Sequence, residues 1–321
     1  MLKAVLGGPF GKSDLRHESR LVTVTIDLMQ RQLQTRFRTV NDASMSELST
    51  ELLLKTDTLT LRDIVCAGRC RHRSEEEFAG ATCLVFPYRG VYVRHVGRSD
   101  AVAEANQVLF FNQGEGYRIS HPVVGGDACL SLAIGENWLG ELTPRDHFYE
   151  GVPLTFRRPR LRIDARTQAL VALLRHSLRN GVADTLEGET LLLTLVRRAV
   201  GGSTSSHPAR GSLGRQKLVD RAKLVLSSDL GRRWTLADIA AEVRVSPVYL
   251  TQVFQQVEGM PLYRYQLRLR LSRALHLLER CDDLGALSLE LGFSSHSHFT
   301  SAFRQVYDRT PLDFRRSLSL R

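Results

Sequence analysis

Apolar positions along the chain change period several times, and each change marks a different kind of element. Residues 1–48 are mixed and polar. Within them 24–37 carries Ile26, Leu28, Met29, Leu33 and Phe37 at spacings that fit a helix only loosely. Short β-rich runs follow at 81–87, 90–96, 107–112 and 128–134, separated by Gly, Pro, Asn and Asp. That rhythm predicts an antiparallel β barrel or sandwich over 49–155. At 164–200 the period becomes helical. Leu170, Leu173, Leu174 and Leu178 make one apolar face and Leu192, Leu195, Val196 and Ala199 another, joined at Asn180-Gly181 as a helical hairpin. A Gly- and Ser-rich run then predicts a flexible linker over 201–214.

Everything after Arg215 reads as helix. The segment 216–228 turns Leu218, Ala222, Val225 and Leu226 inward. Thr235 is an N-cap with Asp238 placed to complete a capping box. Ser246-Pro247 opens the next helix, with Ser as cap and Pro in the first turn. There Leu250, Val253, Phe254 and Val257 face a core, leaving Val248, Thr251, Gln252 and Gln255 outside. A short capped helix, a tight turn and a second helix with a polar outer face make a helix-turn-helix.

The pattern recurs at 284–307. Gly292-Phe293-Ser294-Ser295 supplies a Gly turn and a capping serine, Phe299, Phe303 and Val306 face inward, and His296, Ser297, Thr300, Ser301 and Arg304 face outward. The predicted helix between the two units, 261–280, carries Arg264, Arg268, Arg270, Arg273 and Arg280. Twenty residues at 1.5 Å each span roughly 30 Å, close to the ~34 Å of one DNA turn, so two reading helices can enter successive major grooves.

Composition narrows the function class. The formal net charge is +10, which favours a polyanionic partner without proving one. From Arg215 onward seventeen Lys and Arg stand against eleven Asp and Glu. No apolar run approaches the ~18 residues of a membrane span, and the first twenty residues lack a signal-peptide core, so a cytoplasmic address is expected. Five scattered cysteines suit reduced thiols better than a disulfide framework.

Ala240, Ser246, Leu250 and Phe254, then Gly292-Phe293-Ser294-Ser295, Phe299, Ala302-Phe303 and Thr310-Pro311, carry a resemblance to the AraC/XylS family of bacterial regulators over 215–317. Arg244 stands where the first turn of that family often has glycine, and Gln252 and Ser301 where members often carry arginine. The stretches 84–90, 108–115 and 117–122 resemble the family's cupin-type sensor. The resemblance implies a seven-helix DNA-binding domain, a small-molecule effector held in the barrel and a dimer contact on the helices after it. Double-stranded DNA, RNA polymerase and a second copy of the chain are the expected partners.

An enzymatic cupin needs clustered His and Glu, with two His one residue apart on a strand. His95 and His121 stand alone among the strands and His147 lies just after them, so no catalytic residue, metal or cofactor is expected. Cys66-x3-Cys70-x-His72, with Cys83 and Cys129 on neighbouring strands, instead allows a thiol or metal sensor as the rival function. Half of the aromatics Phe86, Tyr88, Tyr92, Phe110 and Phe111 should be core and half should line a pocket. Residues 1–48 are expected to be a poorly ordered extension, with Met45 reading as a natural domain start.

Overall fold

A computed structural model describes residues 48–69, 71–152, 154–201 and 212–319. The expectations for the N-terminal extension, Met45, Cys70 and most of the linker lie outside the described residues.

Among the described residues ten strands build the first half: β1 (Leu48–Lys55), β2 (Leu59–Cys66), β3 (Glu77–Phe78), β4 (Cys83–Arg89), β5 (Tyr92–Val96), β6 (Ser99–Ala103), β7 (Gln107–Phe111), β8 (Gly116–Ser120), β9 (Asp127–Ile134) and β10 (Arg160–Arg162). They pair antiparallel in a six-stranded sheet, β1-β2-β9-β4-β7-β10, and a four-stranded sheet, β3-β8-β5-β6. The four expected runs became β4, β5, β7 and β9. The sheet reaches past the expected limit at residue 155, because β10 pairs with β7 through Leu161 and Val108.

The central strands β9, β4 and β7 of the larger sheet are apolar on both faces, which is why they read as continuous runs rather than alternations. Val85, Leu109, Phe111 and Cys129 point into the space between the two sheets, where Tyr92 and Ala103 of the smaller sheet meet them. Leu84, Phe86, Val108, Phe110, Leu130 and Leu132 point the other way, toward helices. Period two assigns the aromatics: Tyr92 and Phe111 face the interior, while Phe86, Tyr88 and Phe110 pack outside it.

A short helix, α1 (Glu136–Leu142), follows β9, and the hairpin forms as α2 (Ala165–Arg179) and α3 (Thr185–Gly201). Asp164 caps α2 by accepting from the Thr167 amide at 2.7 Å, and Gly181 takes the left-handed conformation the turn needs. Both apolar stripes are consumed within the chain. Leu174, Leu192, Leu195, Val196 and Ala199 complete the core on the outer face of the larger sheet. Ala165, Ala169, Ala172 and Leu173 turn instead into a core of the C-terminal domain. The expectation that Leu192 and Val196 form a dimer contact is therefore corrected: α2 and α3 are walls of their own monomer.

Seven helices form the C-terminal domain among the described residues: α4 (Leu213–Ser228), α5 (Leu236–Glu242), α6 (Pro247–Glu258), α7 (Leu262–Leu277), α8 (Leu284–Glu290), α9 (His296–Tyr307) and α10 (Pro311–Ser319). The linking helix is shorter than expected. α7 has 16 residues, about 24 Å, and the 3₁₀ turn Leu278–Arg280 restores a span of roughly 30 Å. It serves two cores in succession. Leu262, Tyr265 and Leu269 pack with α4, α5 and α6, whereas Leu271, Ala274 and Leu275 pack with α8, α9 and α10.

Candidate functional site: nucleic-acid interface and barrel pocket

Both helix-turn-helix units are built by the signals the sequence carries. Thr235 accepts from the Asp238 amide at 3.1 Å, while the Asp238 carboxylate accepts from the Thr235 amide at 3.0 Å. The Thr235 amide, and after it the Thr235 hydroxyl, holds the exposed Asp238 carboxyl below its ordinary range. Ser246 caps α6 by accepting from the Tyr249 amide at 3.2 Å, and Ser295 caps α9 by accepting from His298 at 3.1 Å. Each turn passes through one left-handed residue, Arg244 at φ 59° and Gly292 at φ 78°. Arg244 thus accepts the strain that a glycine avoids. Arg244→Gly should leave the fold intact and stability unchanged or higher by up to about 1 kcal/mol in a denaturant titration, since relief of αL strain is offset by chain entropy. A clear loss of stability would show that the Arg244 side chain itself supports the turn.

All the expected reading residues sit on helix surface. Val248, Thr251, Gln252 and Gln255 of α6 are exposed, as are His296, Ser297, Ser301 and Arg304 of α9, and Thr300 is half-buried. Gln252, Gln255, Ser297, Ser301 and Arg304 make no side-chain hydrogen bond among the described residues. Thr251 bonds back to the Pro247 carbonyl at 2.9 Å, and His296 lies 3.4 Å from Thr300. Exposed Tyr249 and Gln256, which the amphipathic pattern did not single out, share the α6 surface.

The arginines of α7 divide by role. Arg270 donates to Leu230 at 2.7 Å, to Arg232 at 2.7 Å and to Gly292 at 3.1 Å, all backbone carbonyls. The first two lie on the approach to α5 and the third in the turn between α8 and α9. One side chain thereby ties the two units together, and Gly231 and Gly292 let their backbones meet. Arg268 donates to the Ile163 carbonyl at 2.7 Å. Both are used inside the molecule; Arg264 of α7 is exposed, as is Arg280 in the 3₁₀ turn that follows.

The C-terminal domain docks on the barrel through buried polar groups. Tyr265 donates to Glu104, Arg162 donates to the Glu258 carbonyl, and Arg160 pairs with Asp220 at 2.7 Å. Lys223 is fully buried and lies 2.6 Å from the Glu258 carboxylate. Burial alone would raise the Glu258 carboxyl, but Lys223 and Arg160 outweigh it and hold it below the usual range. Glu104, buried with less compensation, is raised.

Between the sheets lies a cavity of about 440 Å³. Its walls include Tyr92, Phe111, Tyr117 and, together, Cys66, Cys83, Cys129, His121 and Asp127. His121 does not stand alone, as its isolation in sequence implied: its Nε2 is 2.6 Å from an Asp127 oxygen. Hydrogen bonds to Asp127 and then Cys66 outweigh burial and push the imidazole up to about 10. Burial pushes the Cys129 and Cys83 thiols up. Asp127 was not anticipated; the one local signal is the pair Gly125-Gly126 before it.

Residues 239–317 match a family model described as a helix-turn-helix domain. Regulatory protein PocR of Salmonella typhimurium is 28% identical over 118 residues, 36% of this chain and 39% of that protein. The transcriptional activator CfaD of Escherichia coli is 33% identical over 96 residues, 30% of this chain and 36% of that one. The chain spans about two fifths of the length of curated relatives of this kind. Among solved structures, an AraC-type transcriptional regulator from Chromobacterium violaceum is 31% identical, covering 34% of this chain and 97% of its own, with a TM-score of 0.32. None of the helices among the described residues is long and apolar enough to cross a membrane.

Proposed function

We propose, from the premise that this chain belongs through its C-terminal domain to the AraC/XylS family of regulators, that it is a sequence-specific DNA-binding transcription regulator governed from its barrel. The observation that carries the reading is the pair of capped helix-turn-helix units with polar outer faces, locked to one another by Arg270. Two reading helices in fixed relation suit two successive major grooves. Phosphate contacts from exposed arginines and helix N-termini position the domain, and Gln252, His296 and their neighbours read base edges. The chain acts in the cytoplasm by binding rather than by chemistry, with RNA polymerase as the downstream partner. Effector in the barrel cavity shifts the populations of docked and DNA-competent states through α2 and the Glu104, Lys223 and Glu258 contacts. A homodimer, on this reading, uses the outer face of α3 around exposed Leu186 rather than Leu192 and Val196. Cys66, Cys83 and Cys129 on one cavity favour a second version in which the barrel senses a metal or a thiol reagent.

The test is an operator titration at several salt concentrations against a panel of single-base variants. Gln252→Ala should relax preference at one position by about 1–3 kcal/mol, the worth of a bidentate pair with adenine. Arg304→Ala should weaken binding to all sequences alike and lower the salt slope by about one unit. If neither change alters affinity or preference, the surface assigned to DNA is wrong.

A further inference from the structure

The cavity wall holds three side chains of metal-ligand type that come from distant parts of the β domain. Cys66 ends β2, Asp127 opens β9 directly opposite it in the strand register, and His121 follows β8. One ligand atom from each lies within 4.8 Å of the other two, and this is the one such group found among the described residues. His121 and Asp127 are buried, Cys66 is half-buried, and all three face the cavity.

Their convergence is built by backbone. A Cβ on Gly68 would stand 2.6 Å from the Gly126 Cα, one on Gly126 would stand 2.2 Å from the Cys66 carbonyl oxygen, and one on Gly90 would stand 2.0 Å from the Gly126 carbonyl oxygen. Gly68, Gly90 and Gly126 all have positive φ. Three glycines thus let three chain segments touch, and that contact brings the Cys66 sulfur beside Asp127 and His121. A prearranged donor set is what a metal site needs, because flexible donors must be ordered at binding.

We propose that Cys66, His121 and Asp127 form a site for a thiophilic divalent cation, with zinc as the type, whose remaining coordination position opens on the cavity. A thiolate, an imidazole and a carboxylate select zinc or a softer ion over magnesium or calcium. Tetrahedral zinc, with bonds of ~2.0–2.3 Å, separates its ligand atoms by about 3.3–3.7 Å, so the His121–Asp127 contact opens by about 1 Å on binding. The cation replaces the Cys66 thiol proton and the proton held between His121 and Asp127, and both protons leave to solvent. Three protein ligands leave a position for water or a small molecule in the cavity. That the cation then alters DNA binding rests on the regulator reading above; occupancy of the site does not.

Occupancy is read by titrating the reduced full-length protein with cobalt(II), and with zinc(II) against a chromophoric chelator. One equivalent should bind, with a thiolate-to-cobalt charge-transfer band in the near ultraviolet. Cys66→Ser should abolish the band, Asp127→Asn should weaken zinc by about 10- to 100-fold or more, and Cys281→Ser should change neither. If the first two variants do not fold, the unaltered protein decides: zinc should slow alkylation of Cys66, read by mass spectrometry of its peptide, and leave Cys281 unaffected. No band in the unaltered protein, a band that persists in Cys66→Ser, or alkylation of Cys66 that ignores zinc would each overturn the proposal.

Discussion

Leu192→Asp should abolish cooperative folding of the protein rather than yield a folded monomer. Leu192 is fully buried on the outer face of the larger sheet, among Leu195, Val196, Leu130 and Leu132. Removing its side chain alone costs about 2–5 kcal/mol. A carboxylate in the same place has no partner, so it must either be buried charged or take up a proton, and both cost further free energy. The total approaches the ~5–15 kcal/mol by which ordinary domains are stable. Thermal melting followed by circular dichroism should show no native baseline for Leu192→Asp. Leu186→Asp should melt like the unaltered protein, because Leu186 is 72% exposed. Sedimentation of Leu186→Asp then tests the outer face of α3 as the dimer contact. A folded, monomeric Leu192→Asp would return the dimer contact to the inner stripe.

Gly292→Val should unfold the C-terminal domain, although Arg244 holds the equivalent turn position in the first unit. The two positions share a left-handed backbone but not their surroundings. Arg244 is exposed. A Cβ on Gly292, by contrast, would stand 2.3 Å from the Gly231 carbonyl oxygen and 2.7 Å from an Arg270 guanidinium nitrogen. Valine adds a β-branched side chain in αL, the least tolerant combination. Strain of ~1–3 kcal/mol from the backbone joins the loss of the Arg270 clamp, whose charge-assisted bonds are each worth about 1.5–3 kcal/mol. Denaturant unfolding should show a destabilisation of at least about 4–5 kcal/mol, the level at which one mutation signals a broken local device. Operator binding should be lost at protein concentrations that saturate the unaltered chain. A variant with native stability would mean that the two units do not touch through this turn.

These two cases show where local pattern suffices and where it stops. The caps at Thr235, Ser246 and Ser295 were legible because a cap is a contact between residues three apart, and the chain writes such contacts in one place. The exposed faces of α6 and α9 were legible for the same reason, since a helix repeats its face within a single turn. Strands β4, β5, β7 and β9 announced themselves as apolar runs. Strands β1, β2, β3, β6, β8 and β10 did not, because their residues carry mixed or polar patterns and are strands only through the partners they pair with.

Period and punctuation in the sequence by themselves determined the β class of the segment before residue 155, the helical class of the hairpin and of the C-terminal domain, the existence of two helix-turn-helix units and which residues of α6 and α9 face outward. The tertiary structure alone decided what the hairpin stripes cover, which α7 arginines remain exposed, and that Cys66, His121 and Asp127 share one wall. The physical reason is the range of the interactions. Capping and helical amphipathicity act within four residues, whereas Arg270 reaches Leu230 and Gly292, and Cys66 meets Asp127 across paired strands. A leucine stripe specifies that it will be buried but not against what, because hydrophobic burial is non-directional. The partner is chosen only when the sheet, the hairpin and the helical domain close on one another.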